Sequence, residues 1–370
     1  MKKKIPLLTV ITFLTTLFLV SILNVLIPEK NFSSLENRYL SKLPAFYVDE
    51  LLQGTYIPKL ETWFNDQFIA RDSLVSIKSF SDLMLGFGKS NHVYFGKDGY
   101  LFTHVEEIDE SIVEKNIALI NTFAKDKTLP MYFIAVPEKY SVMSNHLPAN
   151  HYDVNDVSIL LQIQSKLSSN IQYIDAYQAL LNHQKEAVYY KTDHHWSALG
   201  AYYTYSAYLA SKQQQPSFPL TPELVKDDFK GTLYAKSKAF WYGSDELYIY
   251  DRPEHVAVEL DENGEWYQDV YFWNHIKERD AYAFFLDGNH AITKIKTEAE
   301  VQKHILVIKD SFAHNFVPYL THDASMITMI DLRYYKKSIS DYVEANDVDE
   351  IIFLYGMDSL IQQVDLSFLK

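Results

Sequence analysis

Between Lys4 and Glu29 the chain carries no charged residue, and Lys2, Lys3 and Lys4 stand immediately before that gap. As a helix rising about 1.5 Å per residue, the run Ile5 to Ile27 spans a hydrocarbon core of roughly 30 Å. Lysines ahead of the span predict a cytoplasmic N-terminus and an exported C-terminal bulk. A cleaved leader has a shorter apolar stretch and small residues before its cut. Val20-Ser21-Ile22-Leu23-Asn24-Val25-Leu26 offers no clear site of that kind, so the expectation is a retained anchor. The expected divisions are a tail and span over 1–27, a juxtamembrane stem over 28–55, and a globular domain over 56–370.

Beyond the span the chain has the composition of a folded protein. It has 370 residues in all, 48% hydrophobic and 22% charged, which supplies a sizeable core and excludes wholesale disorder. It has no cysteine, which removes disulfides, thiolate zinc sites and a cysteine nucleophile together. The formal charge is −14, and setting aside the three N-terminal lysines leaves −17 for the exported part. Nucleic acid is therefore not expected as a partner. An acidic exterior is also unsuited to lying flat on anionic lipid.

Along the globular part, Tyr56 to Leu85 reads as helical and is stopped by Gly86-Phe87-Gly88; Asn91 to Phe102 reads as a hairpin turning at Asp98-Gly99. Short apolar strands then alternate with helices: Met131–Val136 ended by Pro137, Ile171–Ile174, His304–Ile308, Met326–Ile330 and Ile351–Tyr355. Glu114–Ala124, Ser197–Ser211 and Ile339–Ala345 are helical between them, with Ser197 as an N-cap. This alternation predicts an α/β fold with a mainly parallel sheet, helices on both faces, and the strand C-termini on one rim. Residues 213–300 break the rhythm after Gln213-Gln214-Gln215-Pro216 and read as a β-rich insertion beside the site.

Open α/β sheets bind ligands at the C-terminal ends of their strands. Asp193, His195 and Ser311 each lie just past an extended run. A serine hydroxyl needs an imidazole to take its proton, and the imidazole needs a carboxylate to hold its tautomer. These residues supply all three parts in the order Asp, His, Ser. A helix from Phe312 to Leu320 would aim the backbone N–H groups of Ser311 and Phe312 at a developing oxyanion. Blander readings exist for each piece. Ser311 fits a helix N-cap, His195 a structural histidine, and Trp196 with the tyrosines after it a core or groove wall. His194 rivals His195 as the base, since spacing does not separate them. No Glu or Cys at ligand spacing supports zinc at Asp193-His194-His195, so neither a metal nor a cofactor is expected.

Asp193-His194-His195-Trp196, followed by Ser197-Ala198-Leu199-Gly200-Ala201-Tyr202, resembles the signature of the DHHW proteins. These are similar to SGNH-hydrolase-like polysaccharide O-acetyltransferases of the AlgJ/AlgX type. Further matching pieces run in order along the chain: Glu36-Asn37-Arg38, Trp63 to Asp72, Gly96 to Phe102, Val136-Pro137-Glu138-Lys139, Lys309-Asp310-Ser311-Phe312 and Asp331-Leu332-Arg333-Tyr334-Tyr335. The resemblance implies a flavodoxin-like fold with Asp193 as orienting acid, His195 as base and Ser311 as nucleophile. It departs from the SGNH pattern at Lys309, where a glycine commonly precedes Asp-Ser. His194, Asn289, Arg333 and Trp196 are further candidates for catalysis or substrate contact, Asn289 as an oxyanion-hole residue after the apolar stretch Ala283–Leu286. Only fifteen residues follow Tyr355, so sugar contacts are expected from the core and its insertion.

The implied activity is transfer of an acetyl group, through an acyl-serine, onto hydroxyls of a cell-surface or secreted polysaccharide. The implied partner is a multipass membrane-bound acyltransferase as acyl donor, at a surface expected to be Gram-positive. An esterase using the same residues with water as acceptor, and a non-catalytic polysaccharide-assembly protein, are the alternatives.

Overall fold

The computed structural model describes residues 4–33, 38–103, 108–149, 151, 156–362 and 365–370. Glu36 and Asn37 of the stem motif lie outside them.

Eight strands form the main sheet: β1 (Met131–Val136), β2 (Ile171–Ile174), β3 (Ala257–Leu260), β4 (Trp266–Tyr267), β5 (Ile292–Lys296), β6 (His304–Lys309), β7 (Met326–Ile330) and β8 (Glu350–Gly356). Their spatial order is β4-β3-β5-β7-β6-β8-β1-β2. The five strands β7-β6-β8-β1-β2 are parallel, with Ile305 opposite Ile327, Ile351 opposite Met131, and Met131 opposite Ile171. β1 and β8 are buried at every position, as parallel strands covered on both faces require. Neighbouring side chains on β1 show the two layers, since successive residues point to opposite faces. The Tyr132 ring meets Tyr208 of the helix Ala198–Ser211 at 5.1 Å. Phe133 packs on Phe353, which meets Phe123 of the helix Glu110–Ala124 at 5.9 Å.

The expectation of a mainly parallel sheet needs correction: the sheet is mixed. Residues 257–296 supply β3, β4 and β5, which pair antiparallel and dock onto β7, Ile292 opposite Ile330. They cover the edge that β7 would otherwise leave unpaired. The rest of the β-rich segment includes a separate ribbon of Glu223–Phe229 against Asp245–Ile249.

At the N-terminus, α1 (Lys4–Leu26) contains a stretch, Leu7–Asn24, long and apolar enough to cross a membrane. The helical reading of Tyr56 to Leu85 resolves into two helices, α2 (Tyr56–Gln67) and α3 (Arg71–Met84). They break where Ala70 takes a left-handed conformation, φ 56°. The hairpin expected over Asn91–Phe102 is a three-stranded meander that also takes in Lys89–Ser90.

Candidate active site

The site is built on the rim where β1, β6, β7 and β8 end. Just past β1, Lys139 is buried, and its ammonium donates to the carbonyls of Tyr190 (2.8 Å), Lys191 (3.0 Å) and Asp193 (2.6 Å). Burial pushes its pKa down to about 8, against the pull of Asp245 and Asp193. From the other side the buried Asp245 carboxylate accepts the amides of Lys191 (2.6 Å) and Thr192 (2.8 Å). A bridge between Tyr189 and Trp196 closes the loop. Two charged side chains from distant segments thus hold residues 189–196 in one conformation.

Within that loop Asp193 and His195 are both buried. Asp193 Oδ1 accepts His195 Nδ1 at 2.6 Å and the His195 amide at 2.9 Å, and Oδ2 accepts the Thr232 amide at 2.7 Å. Burial alone would raise the Asp193 pKa, but His195, His194 and these hydrogen bonds hold the carboxyl well below the usual carboxylate range. Gly231 makes the fit possible. A Cβ there would stand 2.2 Å from the Asp193 Cβ. The His195 ring is stacked on Tyr282, centroids 4.0 Å apart and 5° from parallel. Its Nε2 lies 2.7 Å from Ser311 Oγ.

Ser311 follows β6 and is partly exposed. The cap of its segment is not Ser311 but Asp310, whose Oδ1 accepts the Phe312 amide at 2.9 Å. This leaves the Ser311 hydroxyl to His195. It also corrects the expected oxyanion hole, because the Phe312 N–H is already committed to Asp310. The single helix expected over Phe312–Leu320 is a 3₁₀ turn, Ser311–Asn315, followed by a short α-helix, Val317–Leu320. Asp310 Oδ2 accepts the Gly356 amide (2.8 Å) and the Ser359 hydroxyl (2.6 Å), fixing the turn to the end of β8.

The remaining candidates separate. Trp196 is 0% exposed, so its ring is walled off from solvent and is placed as packing and anchor rather than on an open surface. Its indole donates to Phe312 O (3.0 Å) and Asn315 Oδ1 (2.6 Å), and Asn315 Nδ2 donates back to Trp196 O (3.0 Å). These bonds lock the histidine loop to the serine turn. His194 turns Nδ1 to Thr232 Oγ1 at 2.6 Å, so of the two histidines it is His195 that meets Ser311. Arg333 chelates Asp331 (2.9 and 2.6 Å) and reaches Asn289 Oδ1 (3.0 Å). Lys309 sits behind them, 2.8 Å from His314 and 3.5 Å from Asp331. This charged group flanks the serine turn, and among the described contacts none joins Asn289 or Arg333 to Ser311. Asp193, His194 and His195 offer ligand atoms within 4.8 Å of one another, but both ring nitrogens of His195 are already engaged by Asp193 and Ser311.

Sequence reasoning gave no role to Lys139, which it quoted only within a matching motif, nor to Asp245 or Tyr282. Lys139 carried a signal, a lysine just past a buried strand. Tyr282 carried none beyond its place in the aromatic segment.

The structure is thus that of an α/β protein with a parallel-centred sheet that carries a carboxylate, an imidazole and a hydroxyl in series on its rim. The model of the DHHW protein family matches residues 91–330, and the chain belongs to that family. A DHHW family protein from Eubacterium siraeum shares 23% identity and a TM-score of 0.65, over 74% of this chain and 94% of that one. Bacillus cereus PatB1, solved with a sulfonyl adduct, shares 21% and 0.61, over 75% and 98%. The O-acetyltransferase domain of Pseudomonas putida AlgJ shares 15% and 0.49, over 75% and 95%. No curated protein matches the sequence.

Proposed function

We propose that this chain is an O-acyltransferase of the SGNH type that moves an acetyl group through an acyl-serine onto a polysaccharide hydroxyl. The observation that carries the reading is His195, which joins Asp193 at 2.6 Å to Ser311 at 2.7 Å across 116 residues of sequence. Ser311 Oγ attacks the acyl carbonyl as its proton passes to His195 Nε2. The imidazolium, stabilised by Asp193, gives that proton to the departing donor group, leaving an ester on Ser311. A sugar hydroxyl then loses its proton to His195 and attacks the ester. The same proton returns to Ser311 Oγ as the acylated sugar leaves. Tyr282 stacked on the ring, with Phe312 edge-on to it at 4.9 Å, keeps the imidazole from swinging away.

In this reading α1 is a retained anchor, the globular domain lies outside the membrane, and the acyl donor is a multipass membrane acyltransferase. Anchoring raises the effective concentration of Ser311 for a donor in the same membrane. The test uses an activated acetyl ester as donor and an oligosaccharide as acceptor. Wild type acetylates the oligosaccharide, and a sulfonyl fluoride labels Ser311 and blocks the reaction. Ser311→Ala keeps the wild-type melting temperature and transfers nothing. Transfer by that variant at the wild-type rate would remove the nucleophile. Ester turnover indifferent to oligosaccharide would mark an esterase.

A further inference from the structure

Helix α3 turns a run of large apolar side chains toward solvent. Leu74, Ile77, Phe80 and Met84 recur at steps of three and four and share one face. All are exposed, Ile77 at 60% and Met84 at 71%. The face turned to the protein is mixed, with Leu83 packed against the cluster of Val93, Phe95, Leu101 and Leu233 beside small and polar residues. Ser79 is fully buried, its hydroxyl 3.2 Å from that of Ser90, which donates to Asp82 at 2.6 Å. The apolar stripe continues past the helix end into Leu85 and Phe87, both exposed. It spreads sideways to Phe240, 60% exposed, whose ring stands 6.0 Å from Phe80. An exposed apolar surface of this extent marks a place that something covers.

The connection to α1 identifies what covers it. Asn24, at the end of the apolar stretch, is buried, and its Oδ1 accepts the Ile69 amide at 2.8 Å, two residues before α3 begins. Gln67 and Lys30 exchange hydrogen bonds at 2.9 and 3.0 Å, and the Trp63 indole donates to Glu29 at 2.6 Å. The α2–α3 corner is thereby fixed to the point where α1 leaves its apolar stretch. We propose that α3 lies in the headgroup–acyl boundary of the same bilayer, with Leu74, Ile77, Phe80, Met84 and Phe240 facing the lipid.

This rests on reading α1 as a retained membrane span. The stripe holds no charged residue, and the exported part is strongly acidic, so apolar area rather than attraction to anionic lipid drives the insertion. The consequence reaches the active site. Lys238 pairs with Asp72 at 3.0 Å, and Phe80 packs on Trp241, which packs on Phe95. Helix α3 is therefore joined rigidly to the catalytic body, and its seating sets the height and tilt of Ser311 above the membrane.

The chain has no cysteine, so one introduced thiol carries one label. The full-length protein with an environment-sensitive fluorophore at Ile77→Cys, Met84→Cys, Leu14→Cys or Glu344→Cys is reconstituted into phosphatidylcholine vesicles with and without doxyl-labelled lipid. The expected result is quenching at 14, 77 and 84 and none at 344. Quenching at 14 without quenching at 77 or 84 overturns the footprint and leaves the anchor intact. That includes a blue-shifted but unquenched label, which would mean a protein covers the stripe. No quenching at 14 overturns the anchor and the footprint with it.

Discussion

His194 and His195 carry the same side chain on adjacent residues, and their hydrogen-bond partners alone divide the labour. His195→Gln is expected to cut acyl transfer by about 10²–10⁴, the usual worth of a positioned base, while His194→Gln retains most of it. Steady-state rates on the activated ester check both. His194 also responds to acid. Burial first, and the neighbouring His195 second, push the His194 pKa from 6.5 down to about 4, despite Asp193. The unfolded chain then takes up a proton that the folded protein refuses. Stability is therefore full above about 6.5 and falls as pH drops toward 4. Melting temperatures across that window should fall less steeply for His194→Gln than for wild type, and parallel curves would contradict the assignment. Asp193, Ser311 and the histidine pair were legible in the sequence because strand ends and residue chemistry point to them. The choice between the histidines was not, because it is made by Thr232 Oγ1, thirty-eight positions away.

At the scale of elements, the site is two pieces of chain held in register. One is the loop 189–196, pinned by Lys139 and Asp245. The other is the 3₁₀ turn after β6, pinned by Asp310. Trp196 and Asn315 join them. Trp196→Phe keeps the ring and removes the donor, leaving Phe312 O and Asn315 Oδ1 buried without it, at a cost of about 1–3 kcal/mol. The expected signature is a lowered melting temperature together with a fall in kcat larger than the change in KM, since the indole N–H holds the histidine loop to the serine turn rather than touching a substrate. A variant with normal kcat would show that the two pieces hold their spacing without it. Gly231→Ala should behave as a more severe lesion, because the added methyl meets the Asp193 carboxylate itself. The strands of the parallel core were readable from apolar runs ended by Pro137, Asp175 and Asp310. The other three strands were legible only as a β-rich insertion, because their docking on β7 is a long-range pairing that local pattern does not encode. Trp196 stood in plain view within its motif, yet its indole partner Asn315 lies 119 residues downstream.

For the whole molecule the governing quantity is a large negative charge on the part that follows the apolar helix α1. The charge is −14 over the chain and −17 once the three leading lysines are set aside. A field of that sign repels a polyanionic acceptor and leaves a neutral glycan untouched. Salt screens it, with a Debye length of about 10 Å at 0.1 M and about 3 Å at 1 M. The two classes of acceptor therefore separate by ionic strength alone. With a neutral oligosaccharide, kcat/KM should be flat as salt rises from low to high. With an anionic glycan of the same length it should climb, by up to about tenfold if association is limiting. Turnover of a small uncharged acetyl ester, measured in the same buffers, reports any effect of salt on the Asp193–His195–Ser311 relay itself and should not change. A rate on the anionic glycan that falls with salt would mean that a local basic surface, such as the one around the exposed Arg333, Lys336 and Lys337, outweighs the global field at the acceptor site.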